Sequence, residues 1–309
     1  MRVVMLCAML TAFAATRAEA APASVERNVV YGMYSGLALL MDVYRPAKPN
    51  GAAIIAIQGN GWYTSMRYDA EIIRTRAEVV AHAERLAQAG YTVFAISHRS
   101  TPRFHYPAQI EDAQRAVRFV RHHAAAYKLD SARVGAWGSS AGGHLAELLG
   151  MQDGVGDTGD TDPVNRLSAK VRAVVTLFAP ADLPAMFAKT VRPGALTALM
   201  GFEYLPPSSR RPGTVRENEF ENVEYRRASP ITYVTADDPP TLLMHGDQDV
   251  VVPVDQSELM EKALREAGVK VRLIKVSGGK HGEDFQLPKG DPRLPDYLGE
   301  AVRWFDENL

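Results

Sequence analysis

Residues 132–150 read ARVGAWGSSAGGHLAELLG, an apolar strand over 132–137 that runs directly into Gly138-Ser139-Ser140-Ala141-Gly142-Gly143 and then into a helix over 144–149. In Gly138-x-Ser140-x-Gly142, glycine stands two residues before and two residues after the serine. Those are the positions where neighbouring backbone must approach without meeting a Cβ, so the turn lifts Ser140 to the top of a sheet as a candidate nucleophile. Ser139 is out of register with both glycines.

On either side of this turn, apolar β-rich runs alternate with helical stretches, which predicts an α/β fold with a mostly parallel central sheet and helices on both faces. Strands are expected at 37–44, 52–57, 91–97, 171–178, 241–245 and 271–276. Apolar residues at helical spacing predict a long helix from about 69 to 89, stopped by Gly90, and a second from Pro107 to about 127. Helices over 253–267 and 295–308 flank the last strand. Two segments interrupt the alternation. The first, 151–168, is rich in Gly and Asp; its carboxylates fit no standard calcium loop and read as a solvated connector. The second, about 184–227, contains Pro193, Pro206, Pro207 and Pro212 and has the length of a small cap over a site.

The chain has 309 residues, of which 46% are hydrophobic and 23% charged. That composition is globular, and one large α/β domain accounts for it. Thirty-five Lys and Arg against 36 Asp and Glu leave no basic stripe, which argues against a nucleic-acid partner. At the N-terminus, Arg2 precedes an apolar run over 3–15, and Ala18-Glu19-Ala20 offers a small-x-small cleavage site. The run is shorter than the ~20 residues a bilayer span needs. The expectation is therefore a signal peptide over 1–20 cleaved after Ala20, a secreted or periplasmic protein without a stable membrane anchor, and a catalytic domain over 21–309. The single cysteine, Cys7, leaves with the leader.

A serine hydroxyl needs a base within hydrogen-bond reach and a carboxylate to orient that base. Of the eight histidines, only His144, His245 and His281 follow Ser140. His144 lies inside the helix after the turn, and His245 ends a strand. His281 sits in Ser277-Gly278-Gly279-Lys280-His281-Gly282 just after the last strand, where a loop overhangs the sheet edge. Asp249 is the candidate acid, with Asp247 and Asp182 as rivals. Backbone donors for a developing oxyanion come from Ala141 and from the glycine-rich loop Gln58-Gly59-Asn60-Gly61-Trp62. Trp62, Tyr63 and Met66 beside that loop are candidate substrate-pocket residues.

Three stretches, YPAQIEDAQRAVRFVRHHAAAYKLDSARVGAWGSSAGGHLAELLG (106–150), SPITYVTADDPPTLLMHGDQDVVVP (229–253) and GGKHG (278–282), together resemble the α/β-hydrolase superfamily. The resemblance is to the bacterial esterase/lipase group that includes acetyl-xylan and feruloyl esterase-like proteins and relatives of hormone-sensitive lipase. It implies a Ser140, Asp249, His281 triad, an oxyanion hole from Asn60, Gly61 and Ala141, and hydrolysis of short acyl or hydroxycinnamoyl esters such as those on plant polysaccharides. No metal or organic cofactor is implied. An aryl formamidase-like amide hydrolase and a non-catalytic binding protein on the same scaffold are the alternatives. The group's loop usually reads His-Gly-Gly-x-Trp, and this chain has Gln58 for the histidine and Asn60 for the second glycine. Asparagine tolerates left-handed backbone, its side chain offers an additional donor, and Gln58 is expected to replace the imidazole as a hydrogen-bonding brace.

Overall fold

The computed structural model describes residues 24–204 and 223–309. The leader over 1–20, Cys7 and residues 205–222 of the expected cap lie outside the described residues.

Eight strands form one sheet: β1 (Ser24–Tyr34), β2 (Leu37–Arg45), β3 (Ala53–Ile57), β4 (Thr92–Ile96), β5 (Val134–Ser139), β6 (Ala173–Leu177), β7 (Thr241–Gly246) and β8 (Val271–Val276). Their order is β1-β2-β4-β3-β5-β6-β7-β8. The β1/β2 and β2/β4 pairs are antiparallel, and the remaining neighbours run parallel. Strands β3, β4, β5 and β6 are buried at every residue, as strands covered on both faces should be. One core layer packs Val79, Leu86 and Trp304 against the sheet, and the opposite layer packs Ile110, Val117 and Leu145.

Helix α1 (Ala77–Gln88) starts later than the periodicity predicts, after a 3-10 turn at Ile73–Thr75. Arg74 explains the difference. Its guanidinium turns inward to the buried Asp42, 3.0 Å away, and draws residues 69–76 toward the sheet as a loop. The expected second helix is divided into α2 (Ala108–His122) and α3 (Ala124–Tyr127), with His123 at φ −98° and ψ 13° between them. Strand β1 has no counterpart in the expected set. It is an outer strand whose register shifts between Glu26 and Val29 and again between Val30 and Gly32, so its side chains do not alternate cleanly.

In the acidic connector, Asp160 accepts from Asn165 Nδ2 at 3.0 Å, and Asp162 pairs with Arg115 at 2.7 Å. The cap segment contributes helices Leu183–Phe187 and Pro193–Met200, whose Leu183, Met186, Leu196 and Leu199 pack on Trp62 and Ala141. Phe187, Phe202 and Tyr204 cluster around Tyr225.

Two of the buried histidines resist protonation in the fold. Burial holds His82 down to about 3 and His144 down to about 4, against an ordinary value of 6.5. At these two sites the unfolded chain binds protons from pH 6.5 downward that the folded chain refuses, so their contribution to stability falls as pH drops. Each histidine withdraws about 2 kcal/mol between pH 7.5 and pH 5. Between pH 7.5 and pH 5, the change in urea-unfolding stability should be about 2 kcal/mol less unfavourable in His82→Phe than in wild type; an unchanged pH difference in the variant would contradict it.

Candidate active site

The parallel register brings the ends of the central strands to one edge. Ile57 aligns with Gly138, Ser139 with Leu177, Leu177 with Met244, and Gly246 with Val276. Loops leaving β3, β5, β7 and β8 therefore converge there, as ligand sites in open α/β sheets require.

Ser140 follows β5 with φ 50° and ψ −123°, a strained conformation for a residue with a side chain. The flanking glycines permit it. A Cβ on Gly138 would lie 2.3 Å from the Gly142 carbonyl oxygen, and one on Gly142 would lie 2.0 Å from that of Ile57. The Ser140 amide donates to Leu177 O at 2.8 Å, and α4 (Ala141–Met151) begins at the next residue.

Ser140 Oγ lies 2.9 Å from His281 Nε2. On the other side of the ring, His281 Nδ1 lies 2.6 Å from Asp249 Oδ2. Phe178 packs edge-on against the imidazole, with ring centroids 4.7 Å apart. Asp249 is buried, and its Oδ1 accepts from the Val251 and Val252 amides at 2.8 and 2.9 Å. Burial pushes its carboxyl up, but hydrogen bonds from His245 and His281 outweigh burial and hold it at about 2. The rival residues are engaged elsewhere. Asp247 accepts from the Gly278 amide at 2.8 Å and so fastens the loop that carries His281, while Asp182 caps the helix Leu183–Phe187 through the Ala185 amide. His144 receives Trp62 Nε1 and reaches Ala228 O, tying the loop that follows β3 to the end of the segment expected as a cap. His245 bridges Ser257 and Val252 O.

The loop after β3 makes a tight turn in which Tyr63 N donates to Asn60 O at 3.2 Å. Its central residues, Gly61 and Trp62, both have positive φ, 62° and 55°, the signature of a type I′ turn. The left-handed positions thus fall on Gly61 and Trp62, not on Asn60 as expected. The Asn60 side chain commits one of its two Nδ2 hydrogens to Tyr63 O, at 2.7 Å. The amides of Asn60, Gly61 and Ala141 have no acceptor among the described residues.

A cavity of about 630 Å³ opens over Ser140 and His281. Phe178, Met186, Val251 and Val252 give it an apolar side; Glu71, Arg76, Arg192 and Glu283 give it a charged mouth. Trp62 lines the cavity, but Tyr63 and Met66 do not, being 53% and 73% exposed. After Trp62 the chain turns outward, and Tyr63 bridges to Thr101, carrying Met66 along the outer rim. Phe178 and Arg192 escaped the sequence reading because each reaches the site from a distant segment. Only the position of Phe178, immediately after a buried strand, offered a signal.

The model of the BD-FAE family matches residues 41–264. LipM of Mycobacterium tuberculosis, named a probable carboxylic ester hydrolase, is 29% identical over 77% of this chain and 51% of its own length. LipQ of the same organism, named an esterase, is 27% identical over 84% of this chain and 57% of its own. The chain thus spans little more than half the length of these relatives. Among solved structures, a truncated carbohydrate esterase from gut microbiota is 30% identical, with a TM-score of 0.71 over 93% of this chain and 96% of that one. An acetyl ester-xyloside bifunctional hydrolase from Caldicellulosiruptor lactoaceticus, 24% identical, shares the fold with a TM-score of 0.71 over 91% and 95%. With the family's pattern covering most of its length on this sheet order, the chain belongs to the BD-FAE family and has the α/β-hydrolase fold.

Proposed function

We propose that this protein is a serine carboxylic-ester hydrolase. The observation that carries the reading is the continuous relay from Ser140 Oγ through His281 to Asp249, at 2.9 and 2.6 Å, beside three uncommitted backbone amides. His281 Nε2 takes the hydroxyl proton as Ser140 Oγ attacks the ester carbonyl. The Nδ1–H bond to the ionised Asp249 stabilises the imidazolium that results. The tetrahedral oxyanion is met by amides of Asn60, Gly61 and Ala141, each such donor supplying ~3 kcal/mol of transition-state stabilisation. As the tetrahedral species collapses, the C–O bond to the alcohol breaks and His281 returns its proton to the departing oxygen. Water then attacks the acyl carbon and gives a proton to His281; as the C–O bond to Ser140 breaks, His281 returns that proton to Ser140 Oγ and the carboxylic acid leaves.

For the substrate, the apolar side of the cavity suits a short acyl or hydroxycinnamoyl group, and the charged mouth suits a hydrated, sugar-like alcohol better than a lipid tail. The names of the carbohydrate esterase and the acetyl ester-xyloside hydrolase point the same way. Export by the leader over 1–20 would place the protein where plant polysaccharide esters are found. Among the described residues, no helix is long and apolar enough to cross a membrane.

Release of product from p-nitrophenyl acetate, acetylated xylan, methyl ferulate, a long-chain p-nitrophenyl ester and an aryl formamide tests the reading. Acetyl or feruloyl release at the highest kcat/KM is expected. Preference for the formamide would replace the ester reading with an amidase, and preference for the long chain would overturn the polysaccharide assignment.

A further inference from the structure

The oxyanion loop is held from beneath by the first turn of α1. Glu78 Oε2 accepts from Ser139 Oγ at 2.7 Å and from Gln58 Nε2 at 2.8 Å, and Ser139 Oγ in turn lies 3.2 Å from the Gly59 amide. Glu78, Gln58 and Ser139 are all buried. A serine hydroxyl has one proton. Here that proton goes to Glu78, which turns an Oγ lone pair toward the Gly59 N–H. The opposite end of the same residue is taken by Arg76, whose Nη1 donates to Gly59 O at 3.0 Å while Glu71 steadies its other nitrogens. Residues 76 and 78 thus clamp Gly59 from both sides.

There is no slack between this clamp and the nucleophile. A Cβ on Gly59 would lie 2.6 Å from both Ser139 O and Ser140 Cβ, so the loop rests directly on the turn that carries Ser140. The amides of Asn60 and Gly61 are the next two along the chain. We infer that Glu78 is a positioning residue for ester hydrolysis, fixing the oxyanion donors relative to Ser140 by orienting the Ser139 hydroxyl. The inference rests on the ester-hydrolase reading above. Glu78 makes no hydrogen bond to Ser140, Asp249 or His281; its side-chain bonds go to Ser139 at the end of β5 and to Gln58 at the start of the loop. Gln58, which stands where the group usually has histidine, is the second donor to the same oxygen. A glutamine carbonyl at the place of Oε2 can still accept from Ser139 and Gln58.

Steady-state kinetics on p-nitrophenyl acetate test the role in wild type, Glu78→Ala, Glu78→Gln, Ser139→Ala and the Glu78→Ala/Ser139→Ala double variant, with thermal unfolding of each. Displacing preorganised donors costs on the order of 10²-fold. Glu78→Ala and Ser139→Ala should therefore each lower kcat about 10- to 100-fold with KM within about threefold. Because both act through one bond, the double variant should fall no further than the worse single. Glu78→Gln, which keeps an acceptor oxygen, should recover most of the loss. A Glu78→Ala enzyme with wild-type kcat, a loss confined to KM, or single losses that multiply in the double would overturn the inference. Should Glu78→Ala fail to fold, Ser139→Ala, which removes one oxygen atom, decides alone: full kcat in it overturns the role. A wild-type protein that cleaves no ester would instead overturn the reading beneath it.

Discussion

Ser140→Ala is expected to lower kcat for p-nitrophenyl acetate by about 10⁵- to 10⁶-fold, the scale of loss when a serine nucleophile is removed. The side chain makes one hydrogen bond, to His281, and everything else that shapes the turn belongs to backbone or to the glycines. Alanine accepts the same φ of 50° with the same strain, so the fold should be retained, with stability changed by about 0.5 kcal/mol or less. Ser139 cannot take over. It is buried, and its hydroxyl is committed to Glu78 and Gly59. Circular dichroism and thermal unfolding should match wild type while turnover falls to background; turnover within about tenfold of wild type would mean that the ester is cleaved elsewhere.

Asp249→Asn should cost about 10⁴-fold in kcat at pH 8 although it changes almost no volume. The carbonyl oxygen of asparagine can keep the bonds from the Val251 and Val252 amides, so the loop after β7 should hold its shape. What changes is the atom facing His281, 2.6 Å away, where an acceptor becomes an N–H donor. The imidazole then either loses that bond or carries its proton on Nε2, facing Ser140 with a donor where a base is needed. The wild-type carboxyl, held at about 2, is ionised at every pH where the reaction is measured, whereas the asparagine amide does not titrate there and so regains no negative charge as the pH is raised. The stability this carboxylate contributes is present above its ordinary value of 3.8 and is lost as pH falls toward 2, outside the assay range. Activity within about tenfold of wild type would remove Asp249 from the relay and return Asp182 and Asp247 to consideration.

How legible each feature was depends on how local its cause is. The Ser140 turn could be read directly because Gly138 and Gly142 are demanded by backbone atoms within the same few residues and by Ile57 on the adjoining strand. The central strands were legible because burial on both faces leaves an unbroken apolar run, as in Ala53–Ile57. Strand β1 was not, since its two register shifts erase the alternation that marks an outer strand. The start of α1 was misplaced for a different reason: Ile72 and Ile73 keep helical spacing, while the pull of Asp42 on Arg74 acts across 32 residues. The same distance problem hid the support of the oxyanion loop. Nothing near Gln58 announces Glu78, which reads as an ordinary acid in a helix first turn, and Ser139 reads as the spare serine beside the nucleophile. Tyr63 and Met66 were placed in the pocket by proximity in sequence, and one left-handed residue, Trp62, turned the chain that carries them away.

The central claim, that Ser140 is the nucleophile of an acyl-enzyme, is tested most directly by mass spectrometry after reaction with a fluorophosphonate probe. The account predicts one adduct per chain, carried on the peptide containing Ser140, absent in Ser140→Ala and formed in step with the loss of esterase activity. An ester-hydrolysing protein that forms no adduct, or one whose adduct lies on Ser139 or elsewhere, would contradict it.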